Sequence, residues 1–306
     1  MIAFVLSGGG NRGAAQAGAL LGLIERGIYP QLIIGTSVGA LNGAACAADP
    51  TSAGTQRIID VWHRVRRADI FPGNSFTVGW RVLTRRGSMH PQRNFQRFVK
   101  TMFSADVHCF ADLRIPCIVT ATALGSGKLR LFGTDPHESL LDALLASTAI
   151  PPFFPPYHYG DEWFVDGAVV SNLPLVQALE RGAREIYALE IVDNLSAVSA
   201  YTLGQTLSYS LRAMLRQQRE MEHKLAMLVQ QGITVHTIRL TVDDRLAYDD
   251  FSTTATLIET GYQTTINYLD ALPAPRTPPY RRVALVLSNL LRTFKLHRAS
   301  PPPPLV

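Results

Sequence analysis

Short apolar runs alternate with amphipathic stretches from residue 2 to about residue 240. The alternation predicts strands near 2–6, 31–35, 115–122, 129–133, 163–166, 185–192 and 233–240, separated by helices at 13–27, 38–48, 53–67, 91–103, 138–148, 174–181 and 203–231. The first two strands, Ile-Ala-Phe-Val-Leu at 2–6 and Leu-Ile-Ile at 32–34, have no polar face, as expected of strands covered on both sides. Strand and helix in turn predict an α/β fold with a mainly parallel central sheet flanked by helices. Between 68 and 111 the pattern loosens around Pro72-Gly73-Asn74, Gly79 and Gly87, with Arg81, Arg85, Arg86 and Arg93 scattered through it. That stretch reads either as a cap over a site or as an insertion with a solvated basic face. Leu203, Leu207, Leu211, Met214, Leu225 and Leu228 recur at helical spacing, which suits core contact or a helix flanking an entrance.

Two glycine-framed turns follow the first two strands. Ser7-Gly8-Gly9-Gly10-Asn11-Arg12-Gly13 is a loop of bare backbone amides suited to an anion, and Gly35-Thr36-Ser37-Val38-Gly39 has the G-x-S-x-G form of a nucleophile elbow. Gly35 and Gly39 suit that turn because a side chain at either place would crowd it. Gly8, Gly10 and Gly13 also match G-x-G-x-x-G, but a dinucleotide fold needs an acid at the end of the second strand. Glu25 is the only acid before Asp49 and lies on the intervening helix. No Gly-Lys-Ser/Thr follows the glycines, which argues against a phosphate-binding P-loop. Further on, Glu162-Trp163-Phe164-Val165 reads as a strand delivering Asp166-Gly167-Ala168 to the edge of the sheet where catalytic groups gather.

Together Gly8–Gly13, Gly35–Gly39 and Asp166-Gly167-Ala168 resemble the patatin-like phospholipases. Ala146 to Pro156 looks like the stretch that precedes the aspartate in that family, and Ala123 departs from it, since many relatives carry an acid there. The resemblance implies a three-layer fold and a Ser-Asp dyad without histidine, Ser37 as nucleophile and Asp166 as its partner. It implies an oxyanion hole from the amides of Gly9 and Gly10 with help from Gly8, and Arg12, Gly35, Gly39 and Gly167 in support, Arg12 bracing the loop or meeting an anionic head group. It implies a phospholipase A or lysophospholipase type of lipid ester hydrolysis with no cofactor and no metal. Asp166 needs burial to serve as a base, because its ordinary pKa is about 3.9; the flank Trp163-Phe164-Val165 is expected to keep the site partly dry.

Two other readings stand beside it. A Ser-Asp-His esterase of α/β-hydrolase type would draw on His223 or His236, although His223 looks like part of a solvated helix face and His236 like a strand residue. A non-catalytic lipid- or nucleotide-binding α/β protein is the other.

Charge and composition then set the frame. The net charge is +5, yet residues 271–306 hold Arg276, Arg281, Arg282, Arg292, Lys295 and Arg298 and no acid, leaving 23 basic against 24 acidic residues elsewhere. This divides the chain into a catalytic domain over 1–272, with 68–111 as cap or insertion, and a basic, proline-flanked tail over 273–306 with one amphipathic helix. Such a helix suits peripheral contact with an anionic membrane surface through Arg281–Arg298; docking on the domain's own core is the alternative. No nucleic-acid motif accompanies the basic residues. Three cysteines without metal spacing favour a reducing compartment, and no secretory signal or stretch of the roughly 20 apolar residues a membrane span needs is visible. A cytoplasmic, peripherally membrane-associated location is expected.

Overall fold

The structure, a computed structural model, describes residues 1–73, 88–194, 202–229, 232–243 and 246–273. The chain divides into two compact units, Met1–Tyr268 and Leu269–Val306. The tail expected over 273–306 lies, apart from Pro273, outside the described residues, as does the middle of the 68–111 segment.

The first unit is an α/β layered fold. Strands β1 (Ile2–Leu6), β2 (Leu32–Thr36), β3 (Cys117–Ala123), β7 (Glu185–Asn194) and β8 (Thr234–Asp243) run parallel in the order β3-β2-β1-β7-β8. Antiparallel strands β4 (Leu129–Phe132), β5 (Tyr157–Tyr159) and β6 (Glu162–Asp166) join at the β3 side. Central β1 has Ala3 to Leu6 buried, so both of its faces are covered. Ala3, Val5 and Ile34 pack with Leu175 and Ala178 of the helix Leu175–Glu180. On the other face, Gly43 of the helix Val38–Ala48 lets that helix settle against Ile33 and Leu6.

The register decides where functional groups meet. Leu6 pairs with Gly35 on one side and Leu189 on the other, so the loops after β1 and β2 and the end of β7 open at one edge of the sheet. β2 pairs with Cys117–Thr120 of β3, β6 with Ala121–Ala123, and β4 with Val119–Thr122, which overlaps both. A strand residue faces only one neighbour on each side. β4 therefore holds one side of β3, while β2 and β6 share the other, end to end: β2 leaves after Thr36 opposite Thr120, and β6 arrives with Asp166 opposite Ala121.

The predicted strands are present with small shifts of boundary, and three differences have local causes. The helix expected over 53–67 breaks at Val65, giving Ser52–Arg64 and Arg67–Ile70, because Val65 and Arg66 are extended. β5 forms in the stretch after Pro156 by pairing with β6. A helix over Thr254–Asp270 lies beyond the region where alternation was read. It crosses the helix Ala14–Glu25 at very short range: a side chain at Gly18 would overlap the Ile258 carbonyl, and one at Gly261 the Ala15 carbonyl.

Candidate active site

Ser37 sits between β2 and the helix Val38–Ala48 with φ 55° and ψ −125°, and is the one non-glycine residue with positive φ among the described residues. Such a backbone costs on the order of 1–3 kcal/mol and persists only where its surroundings over-determine it. Here they do. Gly35 lies against the Gly39 carbonyl, and Gly39 against the carbonyls of Leu6 and Ser7, so a Cβ at either position would push the turn off the sheet. The Ser37 N–H donates to the buried Ser147 hydroxyl at 2.8 Å.

The glycine loop beside it is held from behind by a buried polar chain. The Trp62 indole donates to Asn42 Oδ1 (2.9 Å), Asn42 Nδ2 to Gln16 Oε1 (3.1 Å) and the Gly13 carbonyl (2.9 Å), and Gln16 Nε2 to the Ser7 carbonyl (2.8 Å). Ser7 Oγ accepts from the Ile191 N–H at 2.9 Å. The Gly8 N–H donates to the Asn172 carbonyl at 3.1 Å and is thereby engaged, whereas those of Gly9 and Gly10 donate to no described residue. Gly10 has φ 62°, a left-handed turn that glycine adopts without strain. Asn11 Nδ2 donates to the Ala247 carbonyl at 2.8 Å, and the buried Arg12 guanidinium to the Leu246 carbonyl at 3.2 Å. That Arg12 contact lies within the fold.

Asp166 is fully buried. Its Oδ1 accepts the Ala168 N–H at 2.8 Å, its own N–H donates to the Ala149 carbonyl, and Thr122 Oγ1 donates to its carbonyl at 3.0 Å. Loss of hydration pushes its pKa up from 3.8 to about 7, against the pull of the Ser37 hydroxyl and the Ala168 N–H. Oδ2 makes no hydrogen bond of ordinary geometry to a described residue. The Ser37 hydroxyl is nonetheless near enough to favour the ionised carboxyl. Gly167 packs on the Thr120 carbonyl, where a side chain would not fit. The dry flank differs in part from expectation: Phe164 and Val165 are buried, but Trp163 is 52% exposed and meets the His158 ring at a tilt of 58°.

Ser37 faces two connected spaces. A narrow apolar cavity of about 70 Å³ runs between Val38, Leu41, Trp62, Ile70, Phe71, Phe95, Phe98 and Phe154. A wider mouth of about 290 Å³ is bounded by Gly8 to Arg12, Ile150, Ala168, Asn172 and, from the long helix Leu203–Val229, by Leu211, Arg212, Leu215 and Arg219. Ser37, Gly10, Asn11, Phe71 and Ile150 border both.

Neither histidine of the triad reading bonds to Ser37 or Asp166. His223 is half-buried on the inner side of its helix, not solvated, and meets Glu190 at 3.0 Å. Burial works to raise the Glu190 pKa, but His223, Arg219 and Arg239 outweigh it and hold the carboxyl below its usual range. His236 stacks on Tyr187 and lies 3.5 Å from Glu185; Tyr187 pairs with Phe4, two residues short of the sheet edge that carries Ser37. Sequence reasoning passed over Asn42, Gln16, Trp62 and Asn172, and took Ser147 only within the Ala146 to Pro156 stretch. Among the described residues no cluster could hold a metal ion, and no helix is long and apolar enough to cross a membrane.

The family model described as patatin-like phospholipase matches residues 4–179. A patatin-like phospholipase domain-containing protein of Caenorhabditis elegans is 29% identical over 212 residues, covering 68% of this chain and 15% of its own length. The cGAMP-activated phospholipase of Vibrio cholerae is 27% identical over 237 residues, covering 67% of this chain and 65% of its own. Of solved structures, VipD from Legionella pneumophila matches in fold with a TM-score of 0.52 at 14% identity, over 88% of this chain and 66% of that one. The chain thus spans less than two thirds of these curated relatives.

Proposed function

This chain belongs to the patatin-like phospholipase family, and from that premise we propose that it is a serine acyl hydrolase of lipid esters, of the phospholipase A or lysophospholipase type, working through Ser37 and Asp166. The observation that carries the reading is the meeting of a strained serine and a buried carboxyl along one side of β3. Ser37 Oγ attacks the ester carbonyl carbon while its proton passes to Asp166. The carbonyl π pair moves onto oxygen, where the N–H groups of Gly9 and Gly10 meet the charge; one such donor is worth about 10² to 10³ in rate. Collapse expels the alcohol, which takes the proton from Asp166 and leaves the acyl group on Ser37. Water, deprotonated by Asp166, then adds to the acyl carbon, and the Ser37 oxygen leaves with the proton from Asp166 as the fatty acid is released.

A base is most effective when its pKa lies near the operating pH, and burial brings Asp166 to about 7. The apolar cavity suits an acyl chain, and the mouth with Arg212 and Arg219 suits a polar head. Ile70, Phe71, Phe95 and Phe98 supply cavity wall from the 68–111 segment, which supports its reading as a cap on a catalytic domain over 1–272. The engagement of His223 and His236 elsewhere favours a dyad over a triad. Labelling with a fluorophosphonate tests the reading: the wild type should be modified at Ser37 and Ser37→Ala should not. Equal labelling of both, or none of the wild type, would remove the hydrolase.

A further inference from the structure

We infer that the side-chain amide of Asn172 is the third donor of the oxyanion hole, in the place that the engaged Gly8 N–H does not fill. The inference rests on the hydrolase reading above. Asn172 is 1% exposed, and neither Oδ1 nor Nδ2 has a hydrogen-bond partner among the described residues. A buried polar group left unmatched is costly, and each one in a native structure calls for an explanation, a catalytic role among them.

Its position names the ligand. Asn172 borders the mouth together with Gly8, Gly9, Gly10 and Ser37. Its Oδ1 lies 2.6 Å from where a Gly8 Cβ would stand, and that same point is 3.3 Å from the Ser37 Cβ. Gly8 is therefore bare to admit this amide beside the nucleophile. The oxygen and nitrogen of the amide exchange by a half-turn, so the N–H pair can face the mouth.

The residue is also rigidly placed. Its own carbonyl accepts the Gly8 N–H at 3.1 Å. The preceding Ser171 is fixed at its carbonyl by Thr36 Oγ1 (3.0 Å), at its hydroxyl by Glu222, and at its N–H by the Gly167 carbonyl (2.8 Å). A backbone held by both the nucleophile strand and the glycine loop keeps this amide beside the place where charge develops on the carbonyl oxygen, and a donor already in place there is the condition for large electrostatic stabilisation. When Ser37 adds to the ester carbon and the π pair moves to oxygen, the Asn172 N–H joins those of Gly9 and Gly10 on that oxygen, and it is released when the carbonyl reforms.

The test uses full-length Asn172→Ala and Asn172→Asp, a soluble short-chain ester, and a trifluoromethyl ketone, which the active serine converts into a hemiketal oxyanion. In Asn172→Ala, kcat should fall about 10² to 10³-fold with KM near that of the wild type. Ketone inhibition should weaken by a similar factor, and the melting temperature should not drop, because two unmatched polar atoms have gone. Asn172→Asp keeps the shape without an N–H and should lose at least as much, which serves if the alanine variant folds poorly. A folded variant with wild-type kcat, or one that loses only KM with ketone affinity intact, overturns the inference. If the wild type labels at Ser37 and the Asn172 variants turn over normally, only this inference falls; if the wild type neither hydrolyses nor labels, the hydrolase reading falls with it.

Discussion

Replacing Asp166 with asparagine should abolish turnover and at the same time stabilise the fold, by an amount set by pH. The carboxyl is fully buried, and burial raises its pKa from 3.8 to about 7. Unfolding restores the ordinary value. As pH rises past about 4 the unfolded chain gives up this proton while the folded chain keeps it, so stability present in full at low pH is lost steadily until the folded carboxyl ionises near 7. At 1.36 kcal/mol per pH unit the loss reaches about 4 kcal/mol above pH 7. Asparagine carries no charge to bury, and any fixed effect of exchanging oxygen for NH₂ is the same at every pH. The stability difference between variant and wild type should therefore be flat below about pH 4, climb by about 1.4 kcal/mol per pH unit to about pH 7, and level off. For a chain of this size 4 kcal/mol corresponds to on the order of 10 °C in Tm. Urea or thermal unfolding of both proteins across that range measures it directly. A difference that does not vary with pH would refute the claim that burial holds the proton on Asp166, and with it the account of how a carboxylate serves as base.

Two further outcomes follow from the site. Gly9→Ala places a methyl against the Ile191 side chain and should turn the Gly9 N–H off the oxyanion, lowering kcat on a soluble ester by about 10² to 10³ in a protein that still folds; unchanged kcat would deny the loop its role. His223→Ala and His236→Ala should keep most of the turnover, the first with a modest loss of stability since Glu190 retains Arg219 and Arg239, and a fall of several orders of magnitude in either folded variant would restore the triad.

The parts of the molecule that the sequence exposes are those built on local rules. Apolar runs located the parallel strands, and glycines at 35, 39 and 167 marked positions where backbone meets backbone. What stayed hidden depends on contacts far apart in the chain. Where Ala15, Gly18 and Gly22 meet Gly261, Ile258 and Thr265, the close approach depends on absent side chains, so hydropathy gives it little signal. Of the flank Trp163-Phe164-Val165 expected to keep Asp166 dry, Phe164 and Val165 are buried while Trp163 is half exposed, and β3 and the Ala149 backbone close in on Asp166 as well. Asn42 and Gln16 look like ordinary polar residues in small-residue helices, and only the fold brings them under the glycine loop. Asn172 carries no local signature at all, because its meaning lies in the empty Cβ position of Gly8.

That β2 and β6 occupy one side of β3 end to end also governs when this chain can act. A slip of β6 by one residue would turn the Asp166 side chain to the opposite face of the sheet, leaving every helix in place and Ser37 without the carboxyl beside it. β6 pairs antiparallel with only three residues of β3, so little besides side-chain burial holds that register. A chain with that register wrong would keep the elbow, the glycine loop and the apolar cavity, so on the proposed mechanism the fold alone does not confer activity: one short strand pairing does.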